Sequence, residues 1–167
     1  GLLLLQLAIL KGASRVALIE PVEEKRQVAE KLGACLTINP IEQDVKKTLQ
    51  EHGFEHIQVV IETCGRKNTS EEALDIVDRQ GTVVLFAVSA VEAAIDLKTY
   101  QLFQKELTVK GSFCSPYDMG RAVELLNAHR IDVTTMLGGM EPLEGLAEVL
   151  SSPRSEERRV GKECRSR

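Results

Sequence analysis

The chain reads as an α/β domain: a doubly wound parallel sheet covered by helices on both faces, lacking its first strand and followed by the start of a C-terminal return segment. Short apolar runs rich in β-branched residues alternate five times with stretches of helical periodicity, and the connections between them are short. The 167 residues, 43% hydrophobic and 28% charged, suit one ordinary core.

The elements follow in order. Leu2 to Lys11 is apolar around most of a helix, as in one packed on both a sheet and a neighbour, and Gly12 stops it. Arg15 to Ile19 is a buried parallel strand that ends at Glu20. Pro21 marks the first position of a helix in which Val22, Val28, Ala29 and Leu32 share a face until Gly33. Cys35 to Ile38 is the next strand, and Asn39-Pro40 signals a turn. Ile41, Val45, Thr48 and Leu49 mark a helix ending near Gly53. Ile57 to Ile61 is again a strand, followed by the loop Glu62-Thr63-Cys64-Gly65. Thr69 or Ser70 caps a helix running to Val77, with Glu71 and Glu72 where the helix dipole favours them. Gly81 leads into the strand TVVLF, and Leu107 to Phe113 supplies one more. Beyond it, Met119 to Ala128 has amphipathic helical spacing, Val133 to Leu137 reads as a strand, and Pro142 to Leu150 as a short helix.

Composition excludes several classes. The net charge of −4 leaves no bulk basic surface for nucleic acid. The longest apolar run falls far short of the roughly 20 residues of a membrane span. Cys35, Cys64, Cys114 and Cys164 have no ligand spacing, which fits reduced thiols in a cytoplasmic protein rather than a disulfide framework or zinc knuckle. Cys35 and Cys114 read as small buried hydrophobes, and so does Cys64 unless it serves a ligand. His52 and His56 are four apart, but Gly53 breaks the helix that would align them, and neither they nor His129 make a metal site on spacing.

The ends differ from the body. Residue 1 is Gly, and helical periodicity starts at once, so the reading is of an N-terminally truncated domain. Residues 154–167 carry six basic and three acidic residues without an apolar face, leaving a body with 15 basic and 22 acidic residues. This tail resembles the in-frame translation of a sequencing adapter, and it is expected to be disordered. The expected organisation is a nucleotide-binding domain over 1–114, a return segment over 115–153 and the tail.

In a doubly wound fold the loop after the first strand holds a pyrophosphate at a helix N-terminus, and an acidic residue ending the second strand takes the adenosine ribose hydroxyls. Gly1 fits the third glycine of a GxGxxG turn, and Glu20 follows it at close to the spacing that fingerprint requires.

The string GLLLLQLAILKGASRVALIEPVEEKRQVAEKLGA, followed in order by VVIETCG, RQGTVVLFAV and KELTVKGSF, resembles the coenzyme-binding (Rossmann) half of the medium-chain zinc-dependent alcohol and polyol dehydrogenases, a group that includes sorbitol and threonine dehydrogenases. The resemblance covers residues 1 to about 152. It implies that Glu20 chelates the adenosine ribose with Lys25 nearby, and that Thr63, Cys64 and Gly65 line the ribose edge. It further implies that the main chain of Phe86 to Val88 and of Ser112, Phe113 and Cys114 holds the nicotinamide amide. Ala87 stands where the family usually has glycine, so its methyl group would crowd the cofactor.

The resemblance also implies NAD as coenzyme, a small alcohol as substrate, a homo-oligomer for the full-length protein, and a catalytic zinc in an N-terminal domain outside this chain. On its own the chain would not catalyse hydride transfer. Two alternatives belong beside this reading: a zinc-free quinone or enoyl reductase, in which small or basic residues usually replace Glu20, and a non-catalytic NAD-binding module.

Overall fold

The computed structural model describes residues 1–113 and 117–137. In chain order the elements are α1 (Leu2–Leu10), β1 (Ala17–Ile19), α2 (Glu23–Lys31), β2 (Leu36–Ile38), α3 (Val45–Glu51), β3 (Val59–Glu62), α4 (Lys67–Ile76), β4 (Thr82–Leu85), α5 (Thr99–Lys105), β5 (Thr108–Gly111) and α6 (Met119–Asn127), followed by a 3-10 turn at Thr134–Met136. They belong to two compact units. One holds residues 1–45 together with 117–137, and the other residues 46–113.

In the first unit β1 and β2 pair in parallel, from Ala17 opposite Leu36 to Ile19 opposite Ile38. Cys35 N–H to the Val16 carbonyl and Glu20 N–H to the Ile38 carbonyl extend the ladder by one bond at each end. The core forms where the apolar stripe of α1 meets α2: Leu2, Leu5, Ala29 and Met136 are buried, with Val16, Leu18, Val28 and Leu32 against them. Each such aliphatic side chain contributes roughly 1.5 to 3 kcal/mol when fully buried. Gly33 closes α2 at φ +100°, and a Cβ there would lie 3.0 Å from Ile9 Cδ1. A residue with a side chain would be strained by the backbone angle and crowded by α1.

The Gln6 side chain reads the main chain of Asp132 like a strand partner: its Oε1 accepts the Asp132 N–H at 2.7 Å and its Nε2 donates to the Asp132 carbonyl at 2.8 Å. Asp132 Oδ1 then accepts from the N–H and hydroxyl of Thr134. That side-chain turn curls residues 134–136 into a 3-10 turn where the sequence reads as a strand over 133–137.

The second unit is built on β3, β4 and β5, parallel and in that order, with Val83 between Val60 and Val109. Ala73, Leu74, Val77 and Val83 are its buried centre, with Val60, Leu85, Ile95 and Leu107 packed around them. Lys105 Nζ donates to the carbonyls of Asp75 and Val77, tying α5 to the end of α4. Burial holds this ammonium below the ordinary lysine range, although Asp75 and Asp78 oppose the shift. All the described strand pairs are parallel, and helices alternate with strands along the chain, as in a doubly wound fold.

Several boundaries differ from the sequence reading. The helix expected to start at Pro21 starts at Glu23, because Pro21 is spent in a corner whose carbonyl Arg26 takes. The helix expected from Ile41 starts at Val45: the Asn39 side chain accepts the Ile41 N–H and the Gln43 side chain accepts the Asn39 N–H, which holds residues 39–43 in a turn and leaves Ile41 79% exposed. Neither Thr69 nor Ser70 caps α4, which starts at Lys67. Sequence periodicity gave no sign of α5. The helix expected over 142–150 and the tail over 154–167 lie outside the described residues.

Candidate functional site

The carboxyl end of β1 is a corner fixed by its own side chains. Glu20 Oε1 accepts the Val22 N–H at 3.0 Å, and Oε2 lies 3.9 Å from Lys25 Nζ. Arg26 underpins the corner, donating to the carbonyls of Glu20 (2.9 Å) and Pro21 (2.8 Å) and pairing with the Glu23 carboxylate. The structure thus brings Glu20 and Lys25 together. Arg26, which the sequence offers beside Lys25 as a cation that could favour a 2′-phosphate, has a side chain only 13% exposed and committed to holding the chain beneath Glu20. Gly1 caps α1, whose first turn bonds Leu5 N–H to the Gly1 carbonyl.

At the carboxyl ends of β3, β4 and β5 the second unit gathers the other expected residues. Glu62 ends β3 and is 5% exposed. Its carboxylate accepts the Cys64 N–H (2.7 Å), the Gly65 N–H (3.0 Å to Oε1 and 3.1 Å to Oε2) and the Thr69 hydroxyl (2.8 Å). Its main-chain carbonyl accepts from the N–H groups of Phe86 and Ala87. The loop after β3 and the loop after β4 therefore meet on one residue. Gly65, at φ +69°, sits so close to the second loop that a Cβ would stand 2.8 Å from the Val88 carbonyl oxygen and 3.3 Å from the Ala87 methyl carbon. The Ala87 methyl thus points at the bare α-carbon of Gly65. Ser112 N–H bonds to the Leu85 carbonyl, bringing Ser112 to the same strand ends, and Phe113 is 89% exposed beyond it. Cys114 lies outside the described residues.

Two sequence expectations change here. Cys35 and Cys64, read as buried hydrophobes, are exposed, because each lies in a connection at a strand end rather than on a core face. Glu62, read as part of a loop, ends a strand and is the hub of the turn that follows. A carboxylate three residues before glycine and seven before threonine was the available signal, and only the fold shows that all three converge.

The histidines are engaged elsewhere. His52 Nδ1 lies 2.8 Å from the Thr48 carbonyl, and His56 Nδ1 lies 2.9 Å from Asp78 Oδ2. Asp78 raises the His56 pKa, first through that hydrogen bond and then through charge. Among the described residues no three His, Cys, Asp or Glu side chains assemble a metal site, and no helix is long and apolar enough to cross a membrane.

Parallel strands alternating with helices, with an acidic corner at the carboxyl end of β1 and a glycine turn after β3 packed on the loop after β4, are the features of the doubly wound fold class. Residues 1–128 match the zinc-binding dehydrogenase family, and the chain belongs to that family. It is 29% identical over 159 residues to D-arabinitol dehydrogenase 1 of Uromyces fabae, covering 90% of this chain and 44% of that protein. It is 35% identical over 112 residues to L-threonine 3-dehydrogenase of Pyrococcus furiosus, covering 66% of this chain and 32% of that one. The chain thus spans less than half the length of these relatives.

Among solved structures, a protein of Sinorhizobium meliloti 1021 assigned as a zinc-binding dehydrogenase and bound to NADP superposes with a TM-score of 0.84 at 30% identity, over 89% of this chain and 44% of that one. A short chain alcohol dehydrogenase of E. coli CFT073 complexed with NADH shares the fold, with a TM-score of 0.80 at 17% identity over 96% of this chain and 46% of that one.

Proposed function

We propose that this chain is the coenzyme-binding part of an NAD-dependent alcohol or polyol dehydrogenase. The observation that carries the reading is the Glu20 corner. A carboxylate ends β1, one oxygen is oriented by the Val22 N–H, and the other faces Lys25. Such a carboxylate accepts hydrogen bonds from both ribose hydroxyls of the adenosine half and repels a 2′-phosphate. Arg26, the other cation of the corner, is tied to two carbonyls and Glu23, so it offers little to a phosphate.

The reading extends to residues of the second unit. The absent Cβ of Gly65 leaves the Ala87–Val88 main chain in close approach to the turn after β3, and Ser112 and Phe113 leave the sheet at the same strand ends. In this reading Thr63, Cys64 and Gly65 meet the ribose edge, the main chain of Ala87, Val88, Ser112 and Phe113 meets the nicotinamide amide, and the N–H groups at the head of α1, next to Gly1, meet the pyrophosphate. When bound, the nicotinamide supplies a hydride acceptor for an alcohol carbon. Among the described residues no set of side chains fits zinc. For the whole protein we propose a small alcohol substrate, with zinc held by residues outside this chain.

The NADP in the S. meliloti relative favours a second reading, in which Lys25 serves a 2′-phosphate. Titration of the chain with NADH and NADPH, followed by nicotinamide fluorescence, separates the two. NADH should bind about five- to thirtyfold tighter, the equivalent of about 1 to 2 kcal/mol of charge repulsion. Equal or tighter binding of NADPH overturns the assignment of Glu20.

A further inference from the structure

We propose that Glu62 is a positioning residue for the dinucleotide: its carboxylate sets the Thr63–Gly65 turn, and through Gly65 the Ala87–Val88 main chain, in the shape the ligand needs. This rests on the reading of those two loops as cofactor contacts.

Glu62 is a charged group 5% exposed, and the donors on its carboxylate are two main-chain N–H groups and one hydroxyl. Taking a carboxylate out of water is costly, and only a full set of donors offsets that cost. A strand end without a functional geometry to keep does not require a buried acid, since an apolar residue there carries no desolvation penalty. Here the acid fixes the direction of two successive N–H groups, so the carbonyls of Thr63 and Cys64, trans to them across their peptide planes, face away from it.

The same residue accepts the Phe86 and Ala87 N–H groups on its main-chain carbonyl, so the two loops share one anchor. Gly65 transmits the position from one loop to the other, because its α-carbon lies against the Val88 carbonyl with no room for a side chain. Thr69, in the first turn of α4, places its single hydroxyl proton between Glu62 Oε1 (2.8 Å) and the Arg66 carbonyl (3.0 Å), the shorter contact being to the carboxylate, and so links the helix start to Glu62.

The test uses the full chain with Glu62→Gln and Thr69→Val, alone and combined. NADH affinity is measured by fluorescence, and amide exchange is followed residue by residue. Gln keeps the size but loses the charge: its carbonyl oxygen can stand where Oε1 does, and its NH2, standing where Oε2 does, then faces the Gly65 N–H as donor against donor. We expect Glu62→Gln to raise the NADH dissociation constant at least tenfold and to speed exchange at Cys64 and Gly65 at least tenfold, with Val60 and Val83 in the strands unchanged. Thr69→Val should weaken binding about threefold alone and add nothing in the Glu62→Gln background, because it acts through the same carboxylate.

NADH affinity within twofold of the parent overturns the proposal. So does faster exchange that extends through β3 and β4, because it would make the role purely structural. If the parent chain binds neither NADH nor NADPH, the cofactor reading of the loops fails, and the exchange rates of Cys64 and Gly65 alone decide whether Glu62 sets the turn.

Discussion

Gly65→Ala is the substitution whose cost the structure fixes most directly. Two terms add. At φ +69° an L side chain sits in the left-handed region, which costs about 1 to 2 kcal/mol. The new Cβ would also stand 2.8 Å from the Val88 carbonyl oxygen and 3.1 Å from its carbon. Both are main-chain atoms that cannot rotate away, and forcing a methyl group into such a gap costs about 1 to 3 kcal/mol. The sum is about 2 to 5 kcal/mol, unless the two loops part by several tenths of an ångström. In that case stability is partly spared and nucleotide affinity falls instead. Equilibrium urea unfolding and NADH titration on the same variant capture both outcomes. Gly111→Ala is the control, since nothing lies within 4 Å of its Cβ and its φ is ordinary; it should change stability by no more than about 0.5 kcal/mol. A Gly65→Ala protein with parental unfolding midpoint and parental NADH affinity would refute the close approach of the two loops.

Other outcomes follow from the same coordinates. Glu20→Ser should remove the repulsion of a 2′-phosphate and narrow the ratio of NADPH to NADH dissociation constants at least fivefold; an unchanged ratio would show that Glu20 does not face the ribose. Gln6→Ala strips both bonds from the Asp132 main chain and should cost about 1 to 3 kcal/mol, with faster exchange at the Asp132 amide, whereas an amide as protected as before would contradict the clasp. For the His56–Asp78 pair, a raised histidine stabilises fully below its ordinary value of 6.5 and loses that contribution as pH rises through the raised value. A lowered aspartate stabilises above its ordinary 3.8 and loses its contribution as pH falls through the lowered value. The stability difference between the parent and His56→Ala should therefore be largest between about pH 4 and 6.5. It should fade at alkaline pH, and a difference that grows with pH would reverse the assignment.

What the sequence discloses is whatever repeats along it. The strands are short β-branched runs between polar breaks, so the order β1 to β5 and the acid at the end of β1 are legible without coordinates. Convergence of distant residues is not. Glu62, Gly65, Thr69 and Ala87 meet through backbone geometry, and nothing in VVIETCG distinguishes a strand-ending acid from a loop acid. Helix α5 escaped notice because Tyr100 and Phe103, its bulkiest residues, are 72% and 78% exposed and therefore draw no buried stripe through it. Thr69 looked like a helix cap because its hydroxyl is the right chemical group. A capping hydroxyl accepts a helix N–H, whereas in the fold the Thr69 hydroxyl donates to Glu62 Oε1. The run Val133 to Leu137, rich in β-branched residues, reads as a strand because composition takes no account of a preceding aspartate able to collect the donors of two threonines.

The pairing of Gln6 with Asp132, together with Met136 in the core of Leu2, Leu5 and Ala29, bears on the order in which the chain acquires structure. The first unit is discontinuous: its opening 45 residues are made early but lack part of their core until residue 136 has been synthesised. The intervening unit of residues 46–113 is contiguous and can close its own three-stranded sheet without either flank. On a ribosome the later-encoded unit can therefore close before the first is complete, and until residue 136 emerges Leu2 and Leu5 lack Met136 from their core, leaving apolar surface open to neighbours in that interval.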